Sequence, residues 1–222
     1  GSEMCIRDSD EIIIEVNEVF KKYDDATVLD NVSLEIEKGK IYGLVGRNGS
    51  GKTVLMKCIC GLIKPTSGEV KVAGKTVGKD VDIPEDIGVI IETPGFIPNY
   101  SGFKNLKLLA SVRNKISNEE IRKSMEIVGL EPKSRKHVGK YSLGMRQKLG
   151  IAQAIMEKPK ILILDEPMNG LDNESVAVVR KILKEQAENG ATIILASHNR
   201  EDIDVLCDKV YTMDHGVIEC ER

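Results

Sequence analysis

The chain has 222 residues, 41% of them hydrophobic and 30% charged, with a formal net charge of −3. That length suffices for one domain with a sizeable core, and the slight acidic balance leaves no electrostatic footprint for nucleic acid, which is not expected as a partner. The longest apolar runs, such as Ile161-Leu162-Ile163-Leu164, are far too short to cross a bilayer, and Gly1 to Asp10 is too polar for a signal peptide. The first ten residues are read as a tag or disordered N-terminus, with the folded domain at 11–222.

Ile12 to Val19 reads as a first strand. Val32, Leu34 and Ile36 alternate with Ser33, Glu35 and Glu37, as in a half-buried strand. Lys38-Gly39 turns into Lys40 to Val45, a buried strand. Next stands Gly46-Arg47-Asn48-Gly49-Ser50-Gly51-Lys52-Thr53, which matches the phosphate-loop pattern G-x-x-x-x-G-K-[ST]. Gly49 and Gly51 permit backbone angles that a side chain forbids, so the loop can wrap around phosphates and aim its N–H groups at them. Thr53 to Cys60 reads as a helix, whose free N–H groups and macrodipole favour anions at its start. There Lys52 would reach the β- and γ-phosphates and Thr53 would hold Mg²⁺; Val54 completes the phosphate-binding set. The plain alternative is a Gly-rich turn that binds nothing.

Among the five cysteines, Cys58 and Cys60 lie on that helix, with no second Cys or His pair beside them. They are read as buried, reduced thiols, not as zinc ligands. Glu69 to Ala73 is a short alternating strand, and Ile87 to Ile91 a buried one. From about 93 to 157 no segment reads as a strand. Phe103 to Val112 has helical periodicity, Ser117-Asn118-Glu119-Glu120 is a capping box whose helix stops at Gly129, and Ser142 opens a third helix. This block reads as an insertion between two halves of a sheet. Strands return at Ile161 to Leu164, Thr192 to Ala196 and Val210 to Met213, around a helix over Asn173 to Glu188. Asp214-His215-Gly216 is a hairpin turn. The whole reads as an α/β fold of the P-loop NTPase kind, with a mostly parallel core sheet, an antiparallel β portion and an inserted α-helical subdomain at about 93–157.

The strand Ile161 to Leu164 ends in Asp165-Glu166, which presents two carboxylates at the ligand edge of such a sheet. Asp165 suits a water-mediated Mg²⁺ contact, and Glu166 is placed as general base toward the attacking water. His198 follows Thr192 to Ser197 and reaches the same edge, where it can hydrogen-bond a γ-phosphate. The bland alternatives are a solvated acid at a strand end and a structural histidine.

Tyr141-Ser142-Leu143-Gly144-Met145-Arg146-Gln147 resembles the LSGGQ signature of ATP-binding cassette (ABC) transporter ATPases, and the resemblance spans about Ile12 to Glu219. Ser142 and Gly144 match the signature's Ser and second Gly; Tyr141, Leu143 and Met145 depart from its other positions. From the residues alone, Ser142 is a helix N-cap. The resemblance implies further roles. Asn169-Gly170-Leu171-Asp172 is similar to the D-loop, with Asp172 at its acid. Tyr23 stands where an aromatic stacks on adenine. Glu92 stands where the family usually has a Gln that touches Mg²⁺ and the attacking water. That Glu, before Thr93-Pro94-Gly95-Phe96, resembles the bacitracin and lantibiotic branch.

The implied protein is an ATP- and Mg²⁺-dependent ATPase subunit at the cytoplasmic, inner face of the cell membrane. It would power transport, in this branch export of an antimicrobial peptide or drug. Two copies would pair head to tail around ATP, and a separate integral membrane subunit would form the channel. A soluble ABC ATPase of the iron–sulfur assembly type is the rival, and a non-catalytic subunit would require loss of Glu166 or His198. Phe96, Tyr100 and Phe103 form either a surface for the membrane subunit or a small core of the helical block.

Overall fold

The computed structural model describes residues 12–221, so the expectation for Gly1 to Asp10 lies outside the described residues. Two sheets carry the fold. The first is antiparallel and pairs β2 (Ala26–Glu37), β1 (Ile12–Tyr23), β4 (Ser67–Val72) and β5 (Lys75–Thr76), in that order. The second has the order β10-β9-β3-β8-β7-β6, with β3 Ile41–Val45, β6 Ile87–Ile90, β7 Ile161–Asp165, β8 Thr192–Ala196, β9 Lys209–Asp214 and β10 Val217–Cys220. Strands β9, β3, β8, β7 and β6 run parallel, and β10 is antiparallel to β9.

Alternation along the central strands explains both layers. In β7, Leu162 and Leu164 face one core while Ile161 and Ile163 face another; in β8, Ile193 and Leu195 separate from Ile194 and Ala196 in the same way. Side chains on successive strand residues point to opposite faces, so an unbroken apolar run signals a strand covered on both. Each such buried aliphatic contributes about 1.5–3 kcal/mol. One core lies under the antiparallel sheet and α1 (Lys52–Ile59). The other lies under α2 (Gly102–Arg113), α3 (Asn118–Ile127), α4 (Leu143–Ile155), α5 (Asn173–Glu188) and α6 (Arg200–Leu206).

The helix starts follow their caps. Ser117 and Glu120 form a reciprocal capping box, Ser142 accepts from the Met145 N–H, and Asp172 accepts from the Ser175 N–H. Several boundaries differ from the sequence reading. β1 and β2 extend to a hairpin at Tyr23 and Ala26, because register shifts between Val16 and Lys22 absorb residues that break the alternation. β6 is an edge strand, and α6 was not foreseen. Phe96 and Phe103 pack partly buried against the second core, which favours the small-core alternative for them; Ile97 is an exposed large hydrophobic residue of that stretch. Cys58 and Cys60 are buried, and burial pushes their thiols up to about 11 and about 12; Cys220 is exposed.

Candidate functional site

The carboxyl ends of β3, β6, β7 and β8 lie along one edge of the parallel sheet, where open α/β sheets hold ligands. A cleft of ≈ 460 Å³ opens there. Asn48 to Val54, Glu92, Asp165 and Glu166 line it, with Gln147, Arg146 and Asn169 on the far wall.

The loop from β3 into α1 is built for close approach. Gly46 has φ +157 and a Cβ there would lie 2.2 Å from the Met213 carbonyl oxygen. Gly51, with φ +110, is the N-cap of α1 and has no side chain to satisfy the helix's first N–H groups. They are left for a ligand, and the helix start favours an anionic one. Lys52 is buried, and its ammonium donates to the carbonyls of Gly46 and Arg47 at 2.7 and 3.0 Å. The buried Ser50 hydroxyl has no hydrogen-bond partner among the described residues. A buried hydroxyl without a partner is costly, and a phosphate oxygen in the cleft would relieve it.

Thr53 Oγ1 donates to Asp165 Oδ2 at 2.7 Å, which joins α1 to the end of β7. This hydroxyl–carboxylate pair is an all-oxygen donor set, suited to a hard cation. Among the described residues no group of three or more His, Cys, Asp or Glu could hold a metal. A magnesium ion here fits only if phosphate oxygens complete its shell, the mode Mg²⁺ favours with nucleotides. Glu92 lines the cleft beside Thr53 and Asp165, and its carboxylate pairs with Lys57 Nζ at 2.6 Å. Glutamate in place of glutamine creates that attraction, because only the carboxylate carries the charge.

Glu166 and His198 meet at this edge, although His198 is exposed and does not itself line the cleft. His198 Nδ1 lies 2.7 Å from Glu166 Oε2, across the gap between the ends of β7 and β8. The segment carrying His198 is itself anchored. Ser197 donates to Asp202 Oδ2 at 3.3 Å, and buried Asp202 pairs with Arg180 of α5 at 2.6 Å.

Other predicted site residues stand elsewhere. Tyr23 is 44% exposed at the β1–β2 hairpin, with Lys21 Nζ 4.8 Å from its ring centroid; it does not line the cleft, whereas nearby Val28 does. Ser142 and Gly144 do not line it either: Ser142 is exposed and caps α4, and Leu143 between them lines the cleft. Asp172 caps α5, and its carboxyl is held below the usual range by the Ser175 hydroxyl and N–H. Sequence reasoning missed Gln147 as a site residue. Its signal was a polar amide on the apolar side of a helix, one turn after Leu143.

The family model described as ABC transporter matches residues 29–169, more than half of the chain. The chain is 48% identical over 207 residues to YybJ of Bacillus subtilis (strain 168), an uncharacterized ABC transporter ATP-binding protein, covering 93% of this chain and 95% of that one. It is 43% identical to the bacitracin transport ATP-binding protein BcrA of Enterococcus faecalis (93% and 68% covered). It is 36% identical to the lantibiotic transport ATP-binding protein SrtF of Streptococcus pyogenes (95% and 90% covered). The fold superposes with a TM-score of 0.84, at 22% identity and 95% and 99% coverage, on the dimeric post-hydrolysis state of the ATP-binding cassette MJ0796 bound to ADP and Pi.

Proposed function

Because this chain belongs to the ABC transporter family, as an ATP-binding and ATP-hydrolysing subunit, we propose that it holds Mg-ATP in the cleft at the head of α1 and powers export of an antimicrobial peptide or drug. The observation that carries the site is the convergence of the Lys52 loop, the Thr53–Asp165 bond and the Glu166–His198 pair on one sheet edge. The loop from Gly46 to Val54 binds the phosphates with its N–H groups, and Lys52 exchanges its loop carbonyls for phosphate oxygens. Thr53 and Asp165 would hold Mg²⁺, with Glu92 beside them once it leaves Lys57. The ion, when bound, neutralises charge on the transferring phosphoryl group. Glu166 accepts a proton from the attacking water, whose oxygen bonds to the γ-phosphorus as the bond to ADP breaks. His198 orients the Glu166 carboxylate and faces the γ-phosphate. Tyr23 is assigned to adenine, and Asp172 shapes the loop after Glu166.

Ser142 and Gly144 are assigned to ATP held by a second copy of the chain, in a head-to-tail pair. The exposed position of Ser142 and the dimeric state of MJ0796 support this reading. No helix among the described residues is long and apolar enough to cross a membrane, which supports a separate integral membrane subunit as channel and a place for this chain on the inner membrane face. The helical block at about 93–157 would act as a subdomain, and the stretch Glu92 to Phe103 would face that subunit. The bacitracin and lantibiotic transport relatives favour peptide cargo and weigh against a soluble iron–sulfur assembly ATPase. The test of the catalytic reading is Glu166→Gln. It should keep ATP affinity and lose about 10²–10⁴-fold in turnover; near-normal hydrolysis would defeat it.

A further inference from the structure

The proposed base stands in a backbone conformation that ordinary side chains avoid. Glu166 has φ +50, in the left-handed region where a non-glycine residue must be held by its surroundings. Its N–H donates to the Ala196 carbonyl of β8 at 2.9 Å. Its carbonyl accepts from Gln147 Nε2 at 3.1 Å, and the same nitrogen donates to the Pro167 carbonyl at 3.0 Å. Gln147 is 8% exposed. A primary amide nitrogen has two N–H groups, and here both go to consecutive carbonyls. Neither a carboxylate nor an apolar side chain of that length can supply them.

A second contact joins the same two elements. A Cβ at Gly170, which has φ +75, would lie 2.5 Å from Leu143 Cδ2. The first turns of α4 therefore close on the loop after β7 at both of its ends, Gln147 at Glu166-Pro167 and Leu143 at Gly170.

We infer that Gln147 is a positioning residue for ATP hydrolysis: its carboxamide fixes the Glu166–Pro167 peptide so that the Glu166 carboxylate stays at its 2.7 Å contact with His198. The inference rests on the reading of Glu166 as general base. Gln147 touches neither nucleotide nor water in this role; it acts through Glu166. It also makes α4 continuous with the catalytic edge, since Ser142 at the helix tip and Gln147 lie little more than one turn apart.

The test is a double-mutant cycle of Gln147→Met and Glu166→Gln, with kcat and KM for ATP measured alongside affinity for a fluorescent ATP analogue. Gln147→Met keeps the length and removes both donors. It should lower kcat about 10–10²-fold with KM changed less than about twofold, because a small misplacement of the base is costly while phosphate binding is untouched. In the Glu166→Gln background the same substitution should change the residual rate less than about twofold, since the group it positions is already gone. Unchanged kcat, or an equal loss in both backgrounds, would overturn the inference. Near-normal turnover of Glu166→Gln alone would overturn the Glu166 reading and this inference with it. Impaired Glu166→Gln beside an unaffected Gln147→Met would overturn this inference alone. Gln147→Glu gives an independent readout. Its rate relative to the unmodified chain should rise as pH falls, because the protonated acid regains one O–H donor. A flat ratio, or loss of analogue binding in both Gln147 variants, would make Gln147 a merely structural residue and overturn the inference.

Discussion

Two helix starts of this molecule are suited to anions, and they are built differently. At the head of α1 the parts are joined to one another: Thr53 to Asp165, Glu166 to His198, Lys52 to its own loop. At the head of α4, Ser142 is exposed and caps its own helix start, and half-buried Gly144 lies beside Gly170. Both are helix N-termini, where free N–H groups and the dipole favour negative charge. One is inside a cleft beside Asp165 and Glu166, and the other presents the same physics to the outside. On the proposed reading, a single copy holds one phosphate cradle and offers the head of α4 to the nucleotide of a partner copy.

The comparison breaks most easily on the catalytic side. If the edge is rigid because it is anchored, its supports matter beyond the cleft. Arg180→Met leaves the buried Asp202 carboxylate without its cation, and breaking a buried pair in this way costs about 3–5 kcal/mol. Chemical denaturation should show a loss of that order. A loss under about 1 kcal/mol would mean that the segment carrying His198 does not depend on this anchor.

The outward region should yield less. Ser142→Ala removes the cap of α4 and should cost about 1 kcal/mol of stability. ATP affinity of the isolated chain should stay within about twofold, because Ser142 does not line the chain's own cleft. A large loss of affinity in the isolated chain would place Ser142 in its own site and erase the distinction.

The smallest effect lies far from both regions and serves as their control. Hydrogen bonds from Lys209 and Lys40 hold the Glu37 carboxyl down to about 2, below its ordinary 4.5. A lowered carboxylate stabilises the folded state above its unfolded value, and that contribution is lost as pH falls from 4.5 toward about 2. Glu37 is partly exposed, so screening leaves about 1 kcal/mol or less. Glu37→Gln should be less stable than the unmodified chain near pH 6, with the gap narrowing toward pH 3. A gap that does not change with pH would remove the ion pairs as its cause.

Much of the candidate site's placement was legible in the sequence, because its groups sit at the ends of strongly patterned elements. Gly46 to Thr53 follows a buried strand, and Asp165-Glu166 ends an unbroken apolar run. The capping residues Ser117, Ser142 and Asp172 were equally plain or fell at the implied helix starts. What escaped was non-local or locally irregular. The Gln147 bonds span 19 and 20 residues of chain, and nothing in the signature segment points to those carbonyls. The Glu92–Lys57 pair joins the segment after an edge strand to α1 across 35 residues. The full length of β1 is hidden by register shifts around polar Asn17 and Glu18, where alternation fails. α6 is only seven residues long and mostly polar, too short for periodicity to show.

The central claim is that ATP is held between the cradle of one copy and the α4 tip of another. Light scattering of Glu166→Gln with ATP and Mg²⁺ tests it most directly, because blocked hydrolysis should trap the pair. The account predicts a dimer with ATP, a monomer without it, and a monomer when Ser142→Arg is added, since a bulky cation fills the space meant for the partner's phosphate. A protein that stays monomeric with ATP, or a dimer that persists unchanged with Ser142→Arg, would contradict it.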